Sequence, residues 1–194
     1  MPEKRPYHHG NLRETLIEVA VELLRETGVG DVSLRATAAR AGVSRMAPSH
    51  HFGGKDGLLA AVAARGYEKF AEAMQIEFDL AGPTAAEKLR GISKGYLIFA
   101  RTQPALFDLI FNDEKRYSWT EELTAASAKS YSVLRKTCAM FTGQLHGSDV
   151  IEKLVWSVVH GYAVLSRREL VGPTEDFGDL FAMLDALHLQ AHSA

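Results

Sequence analysis

The chain has 194 residues, 46% of them hydrophobic, with 22 basic against 24 acidic side chains for a formal net charge of −2. That is enough apolar mass to fill a core, which excludes a disordered chain, while a near-neutral total would ordinarily argue against a nucleic-acid partner. A single cysteine, Cys138, excludes an internal disulfide framework and fits a reducing compartment, and no apolar run approaches the roughly 18 residues of a membrane span.

The opening MPEKRPYHHG is polar and lacks the apolar core of a signal peptide, so a soluble, cytoplasmic protein is expected. Its Arg5, Tyr7, His8 and His9 suit either an arm that reaches DNA or a frayed terminus. Asn11 with Glu14 has capping-box-like spacing, and Leu12, Leu16, Val19, Ala20 and Leu23 then share one helical stripe that Gly28 ends. The charges on the other face, from Arg13 to Glu26, read as solvated surface.

From Ser33 to Lys55 the balance changes, with Arg35, Arg40, Arg45 and Lys55 in a stretch free of Asp and Glu. Ser33 is a natural N-cap for a helix of about eight residues, and its alanines let another helix cross closely. Gly42 supplies a turn, and Ser44 caps a third helix expected to start at Arg45. On that helix Pro48 and Phe52 face the core, whereas Arg45, Met46, Ser49 and His50 project outward. At the fourth helical position Pro48 would delete a hydrogen bond, so a distortion or a late helix start is expected. Gly53 and Gly54 break the helix, and Lys55 opens a long fourth one that ends at Gly82 and Pro83.

The remainder is helical in pattern, with no alternating strand signal and no fixed repeat. Thr84 and Glu87 form a capping box before a helix burying Leu89, Ile92, Tyr96, Phe99 and Ala100. Pro104 opens ALFDLIF, a polar NDEKRYS loop follows, and a longer helix is expected from Trp119 to Phe141. After Gly143 and Gly147, Ser148 caps a penultimate helix apolar on two faces, which therefore needs two partners. Gly172 and Pro173 end it, and a final helix places Phe177, Leu180, Phe181, Leu184 and Leu187 on one stripe. The last two helices, about residues 148–192, suit a homodimeric four-helix bundle. The fold class is all-α, with about nine helices in total.

The stretch YHHGNLRETLIEVAVELLRETGVGDVSLRATAARAGVSRMAPSHHFGGKDGLL resembles the N-terminal domain of tetracycline-repressor (TetR) family regulators. The resemblance implies an N-terminal arm and helix-turn-helix domain over 1–55, followed by a regulatory and dimerisation domain over 56–194. It places Ser33 and Lys55 at phosphate-contacting positions, and Arg45, Met46, Ala47 and His50 near bases. Ser44 and His51 complete the expected DNA-binding set together with Ser49, which stands where the family usually has a tyrosine and so leaves more of the grip to His50 or His51. Physically, Arg45 offers a bidentate fork to guanine and Lys55 a point charge to phosphate.

Trp156, His160 and Gly161 reproduce the W-x-x-x-H-G pattern that names one class of TetR C-terminal domains, and PALFDLIF resembles an earlier segment of it. Trp156 and His160 sit one turn apart, either lining a ligand cavity or filling the core. The same two readings apply to Phe99, Phe107, Phe111, Trp119 and Tyr131.

The implied protein is a ligand-responsive regulator, a repressor or an activator, whose homodimer binds a palindromic double-stranded operator and is released by a small-molecule effector. The rival is an all-helical carrier or enzyme whose N-terminal helices serve assembly. No catalytic motif is present, no cofactor or membrane partner is expected, and the adjacent pairs His8-His9 and His50-His51 diverge too far on a helix to chelate a metal easily.

Overall fold

A computed structural model describes residues 12–111, 117–142, 148–171 and 177–191, and among these it contains nine helices and one two-residue strand pair. The proposed arm, the Asn11 cap, residues 112–116 of the polar loop, Gly143, Gly147, Gly172 and Pro173 lie outside the described residues. The head comprises α1 (Leu12–Thr27), α2 (Leu34–Ala41) and α3 (Ala47–Phe52). The long α4 (Lys55–Leu80) leads into α5 (Ala85–Thr102), α6 (Pro104–Phe111), α7 (Glu121–Cys138), α8 (Ser148–Ser166) and α9 (Gly178–Asp185).

Local chemistry sets most of these boundaries. Ser33 caps α2 by accepting the Ala36 amide, and Gly42 ends it in the left-handed conformation, where a Cβ would be strained. Thr84 and Glu87 close both bonds of a capping box on α5, and Pro104 occupies the first position of α6, where a missing N–H costs nothing.

The third helix departs from expectation. It begins at Ala47, with Met46 in the N-cap position and no side-chain cap, so Ser44 does not cap it. The Ser44 carbonyl instead accepts the Ala47 amide in a turn. The late start moves Pro48 into the first turn, where its lack of a donor is harmless. Further along, α7 ends at Cys138 and leaves Trp119 ahead of its Thr120 cap, and α9 is only eight residues long. Phe141–Thr142 pairs antiparallel with Gln190–Ala191, a ladder too short to show alternation in sequence.

The core is built around α4, which packs against α5 and α7 and touches α1, α3 and α6. Ala60, Ala61, Val62, Ala63 and Ala64 are all buried there. Gly95 of α5 allows a close approach, because a Cβ at that position would lie 2.7 Å from the Met74 Cα. The charged side of α1 is more than solvated surface, since Arg65 of α4 donates to both Glu14 and Glu18, and Arg13 bonds Glu122 of α7. Such pairs need side chains distant in sequence, which helical periodicity does not report.

Candidate nucleic-acid interface and cavity

Helices α2 and α3 meet through the Gly42 turn, with Pro48 buried and Phe52 half-buried beneath the Arg13 guanidinium. That packing leaves Arg45, His50 and His51 exposed, with Met46 60% exposed, while Ala47 and Ser49 are half-buried. Ser44 is exposed in the turn. Arg45 has no ion-pair or hydrogen-bond partner among the described residues, so its fork is open to a ligand.

Two of the four cations in this stretch are already engaged. Arg40 donates to Glu26 at 2.9 and 2.5 Å and holds that carboxyl below the usual range by hydrogen bonding. The Lys55 ammonium donates to the Gly30 carbonyl at 3.0 Å, which leaves two of its three donors. Ser33 is half-buried and its oxygen accepts the Ala36 amide, which leaves its hydroxyl proton to donate.

In the body, a cavity of about 260 Å³ lies between α4, α5, α6, α7 and α8. Of the expected ligand residues, Phe111, Tyr131 and Trp156 line it. Phe107 and His160 border a second, more polar cavity with Asp108, Arg167 and Arg168, and Phe111 is shared by both. Phe99 is 1% exposed and packs on Phe70, and Trp119 is 47% exposed beside Tyr67.

The first cavity also has walls that sequence reasoning did not mark. Tyr67, Phe70 and Met74 of α4 and Ser93 and Tyr96 of α5 contribute to it. So do Ser127, Ser130 and Leu134 of α7, which with Tyr131 follow a helical i, i+3, i+4, i+7 spacing that was available as a signal. The serines broke the apolar pattern and concealed it.

The Tyr96 hydroxyl lies 2.7 Å from His160 Nδ1. The histidine therefore holds a tyrosine of α5, while the tryptophan one turn earlier packs beside Tyr131 of α7. Burial raises the Tyr96 pKa and lowers that of His160, so both are neutral. With the imidazole proton assigned to Nε2, Nδ1 accepts from the tyrosine. The Tyr131 hydroxyl donates to buried Glu152 at 2.5 Å, which pushes its pKa up to about 12. Cys138 is fully buried and its thiol is likewise raised to about 12 by desolvation. Among the described residues, no group of three His, Cys, Asp or Glu side chains is placed to hold a metal, and no helix is long and apolar enough to cross a membrane.

An exposed helix-turn-helix joined by one long helix to a helical body with an internal cavity defines a two-part protein of the helix-turn-helix class. A family profile described as bacterial regulatory proteins, tetR family, matches residues 16–62, and one described as tetracyclin repressor-like, C-terminal domain, matches residues 89–187, about half of the chain. The chain belongs to the TetR family of regulatory proteins.

The C-terminal match carries that general description and not the name of the Trp-His-Gly class. The head is similar to the HTH-type transcriptional regulator BetI 1 of Chromohalobacter salexigens, 35% identical over 80 residues, which are 41% of this chain and only 35% of that protein. The whole fold is similar to a protein of unknown function from Rhodococcus sp. RHA1, with 24% identity, TM-score 0.79, and 95% and 96% of the two chains covered. It is also similar to a multidrug binding protein, EbrR, complexed with imidazole, with 18% identity, TM-score 0.68, and 94% and 97% covered. At these identities the two solved structures speak for the fold alone.

Proposed function

We propose that the protein is a ligand-responsive DNA-binding transcription regulator, a repressor that binds a palindromic operator as a homodimer and is released by a small molecule. The observation that carries this reading is the placement of α4. Its first residue, Lys55, follows the end of α3 after two glycines, and Tyr67, Phe70 and Met74 of the same helix form one wall of the cavity. In this reading residues 1–55 are the DNA-binding domain and residues 56–194 the regulatory and dimerisation domain. Arg45, Met46, Ala47, Ser49, His50 and His51 face the groove, while Ser33 and Lys55 approach phosphates and Ser44 completes the set from the turn. The dimer's two α3 helices enter major grooves about 34–36 Å apart or at a related spacing.

The homodimer is assigned to α8 and α9. Val150, Leu154 and Leu165 are 38%, 40% and 42% exposed on α8, and Met183 is 46% exposed on α9. Gly161 on the same side of α8 has open space where a Cβ would stand, so another helix can approach. Effector control is a population shift. Moving the balance from 1:99 to 99:1 takes about 5.5 kcal/mol of differential binding to the DNA-incompetent dimer.

A mobility shift on the upstream region of its own operon tests the reading. Salt-sensitive, sequence-dependent retardation by a dimer is expected. Equal retardation of any DNA, or none, would favour a carrier or enzyme that uses the head for assembly.

A further inference from the structure

The polar atoms of the first cavity form a one-sided hydrogen-bonding surface. Five hydroxyl donors in its wall are already directed at other protein atoms. Ser93 donates to the Leu89 carbonyl at 2.7 Å, and Ser130 to the Ser127 carbonyl at 2.8 Å. Tyr67 donates to the Ile110 carbonyl at 3.2 Å. Tyr96 donates to His160, and Tyr131 donates to Glu152. These five hydroxyls offer the cavity lone pairs, and beside them stand the aromatic rings of Phe70, Phe111, Tyr131 and Trp156.

Charge adds a second bias in the same direction. Among the described residues no lysine or arginine lines this cavity. An anion stands behind its wall: Glu152 is 5% exposed, and its partner among the described residues is the hydroxyl of the lining residue Tyr131. The Tyr131 ring lies 5.7 Å from that of Trp156, another lining residue. A carboxylate ligand would find those five hydroxyls donating elsewhere and would face the like charge of Glu152, so its hydration would be poorly replaced. An ammonium would meet acceptors, π faces and an opposite charge.

We infer that the cavity selects a compact organic ammonium, an amine or alkylated amine with an apolar body, and rejects carboxylates and other anions. This rests on the cavity being the effector site. Its volume, about 260 Å³, lies just below the roughly 300–1,000 Å³ of ordinary ligand pockets, so the ligand is compact. Recognition has two parts: the apolar body displaces water from the rings, and the cationic head turns toward the Tyr131–Trp156 wall. Glu152 then acts through the tyrosine as a fixed counter-charge.

Calorimetry with three probes of one shape, 2-phenylethylammonium, 2-phenylethanol and 3-phenylpropanoate, tests the inference on the full-length wild-type dimer. The ammonium is expected to bind at least about tenfold tighter than the alcohol, with the carboxylate weakest. Glu152→Gln keeps an acceptor for Tyr131 and should weaken the ammonium by about tenfold while leaving the alcohol unchanged. Equal affinities, a preference for the carboxylate, or no binding of any probe up to about 10 mM would overturn the inference. A parallel mobility shift separates it from the regulatory reading. Ammonium that binds without releasing DNA upholds the ligand class and removes the effector role, whereas release by the carboxylate alone keeps the effector role and overturns the class.

Discussion

The Arg65 guanidinium of α4 bonds the carboxylates of both Glu14 and Glu18, which stand one turn apart on α1. Lys69 approaches Glu18 at 3.5 Å, and Glu68 bonds Arg65 at 2.9 Å from its own helix. The cluster ties the first helix of the head to the helix that enters the body. Because Arg65 keeps about a quarter of its surface, water screens the network and no single pair is strong. Arg65→Ala should cost about 1 kcal/mol at low salt and less at high salt. Urea unfolding at two ionic strengths checks this; identical midpoints for variant and wild type at low salt would show that the cluster holds nothing.

Gly95→Ala should destabilise the body. The new Cβ would meet the Ala73 carbonyl oxygen and the Met74 Cα, which are backbone atoms that cannot swing aside. Overpacking of this kind costs about 1–3 kcal/mol, or about 2–4 °C in Tm per kcal/mol for a chain of this size. A thermal melt reads it, and an unchanged Tm would mean that α4 and α5 separate freely.

Arg45→Ala should relax the preference at one operator position by about 1–3 kcal/mol, because an unpaired guanidinium on the outer face is the best base reader available. Lys55→Ala should weaken all sequences alike and lower the salt slope by about one unit. Affinity measured across salt and across single-base operator variants separates the two roles.

Acid should weaken the fold through His160. Burial holds its folded pKa below 6.5, so the unfolded chain takes up the proton first as pH falls. The contribution is complete above about pH 6.5 and is lost as pH drops through the folded value. Tyr96, Phe107 and Phe111 surround the ring, and Asp108, Arg167 and Arg168 border the groove that it shares. His160→Phe should flatten this part of the pH dependence; stability curves for wild type and variant that run parallel through the acid range would contradict it.

Cys138 should resist alkylation. Its buried thiol, raised to about 12, presents almost no thiolate near neutral pH. Labelling with iodoacetamide should follow global unfolding, and rapid modification of the native protein would show that the α7 terminus opens on its own.

Much of the fold was legible because caps and punctuation act locally. Ser33, Gly42, the Thr84–Glu87 box and Pro104 each declare a boundary through a bond to a near neighbour. Pro48 announced a late helix start, but Ser44 looked like its cap because capping residues and turn residues are the same types. The exposed outer face of α3 follows from period alone. The cavity was legible only in part, since Trp156, Tyr131 and Phe111 stand out as aromatics whereas Ser93 reveals itself only once the helices converge. The Arg65 cluster was not legible, because its partners are joined only by the packing of α1 on α4.

Ala60, Ala61, Ala63 and Ala64 line the middle of α4 and are at most 3% exposed. An alanine has no χ rotamers, so a push on this stretch cannot be absorbed by a side chain changing its well. Leucines or methionines there would cushion a displacement of a few tenths of an ångström; methyl groups pass it to the neighbouring backbone. The segment between cavity and head therefore behaves as a stiff rod in a fitted sleeve, free to slide or tilt as a whole but with little capacity to yield in between.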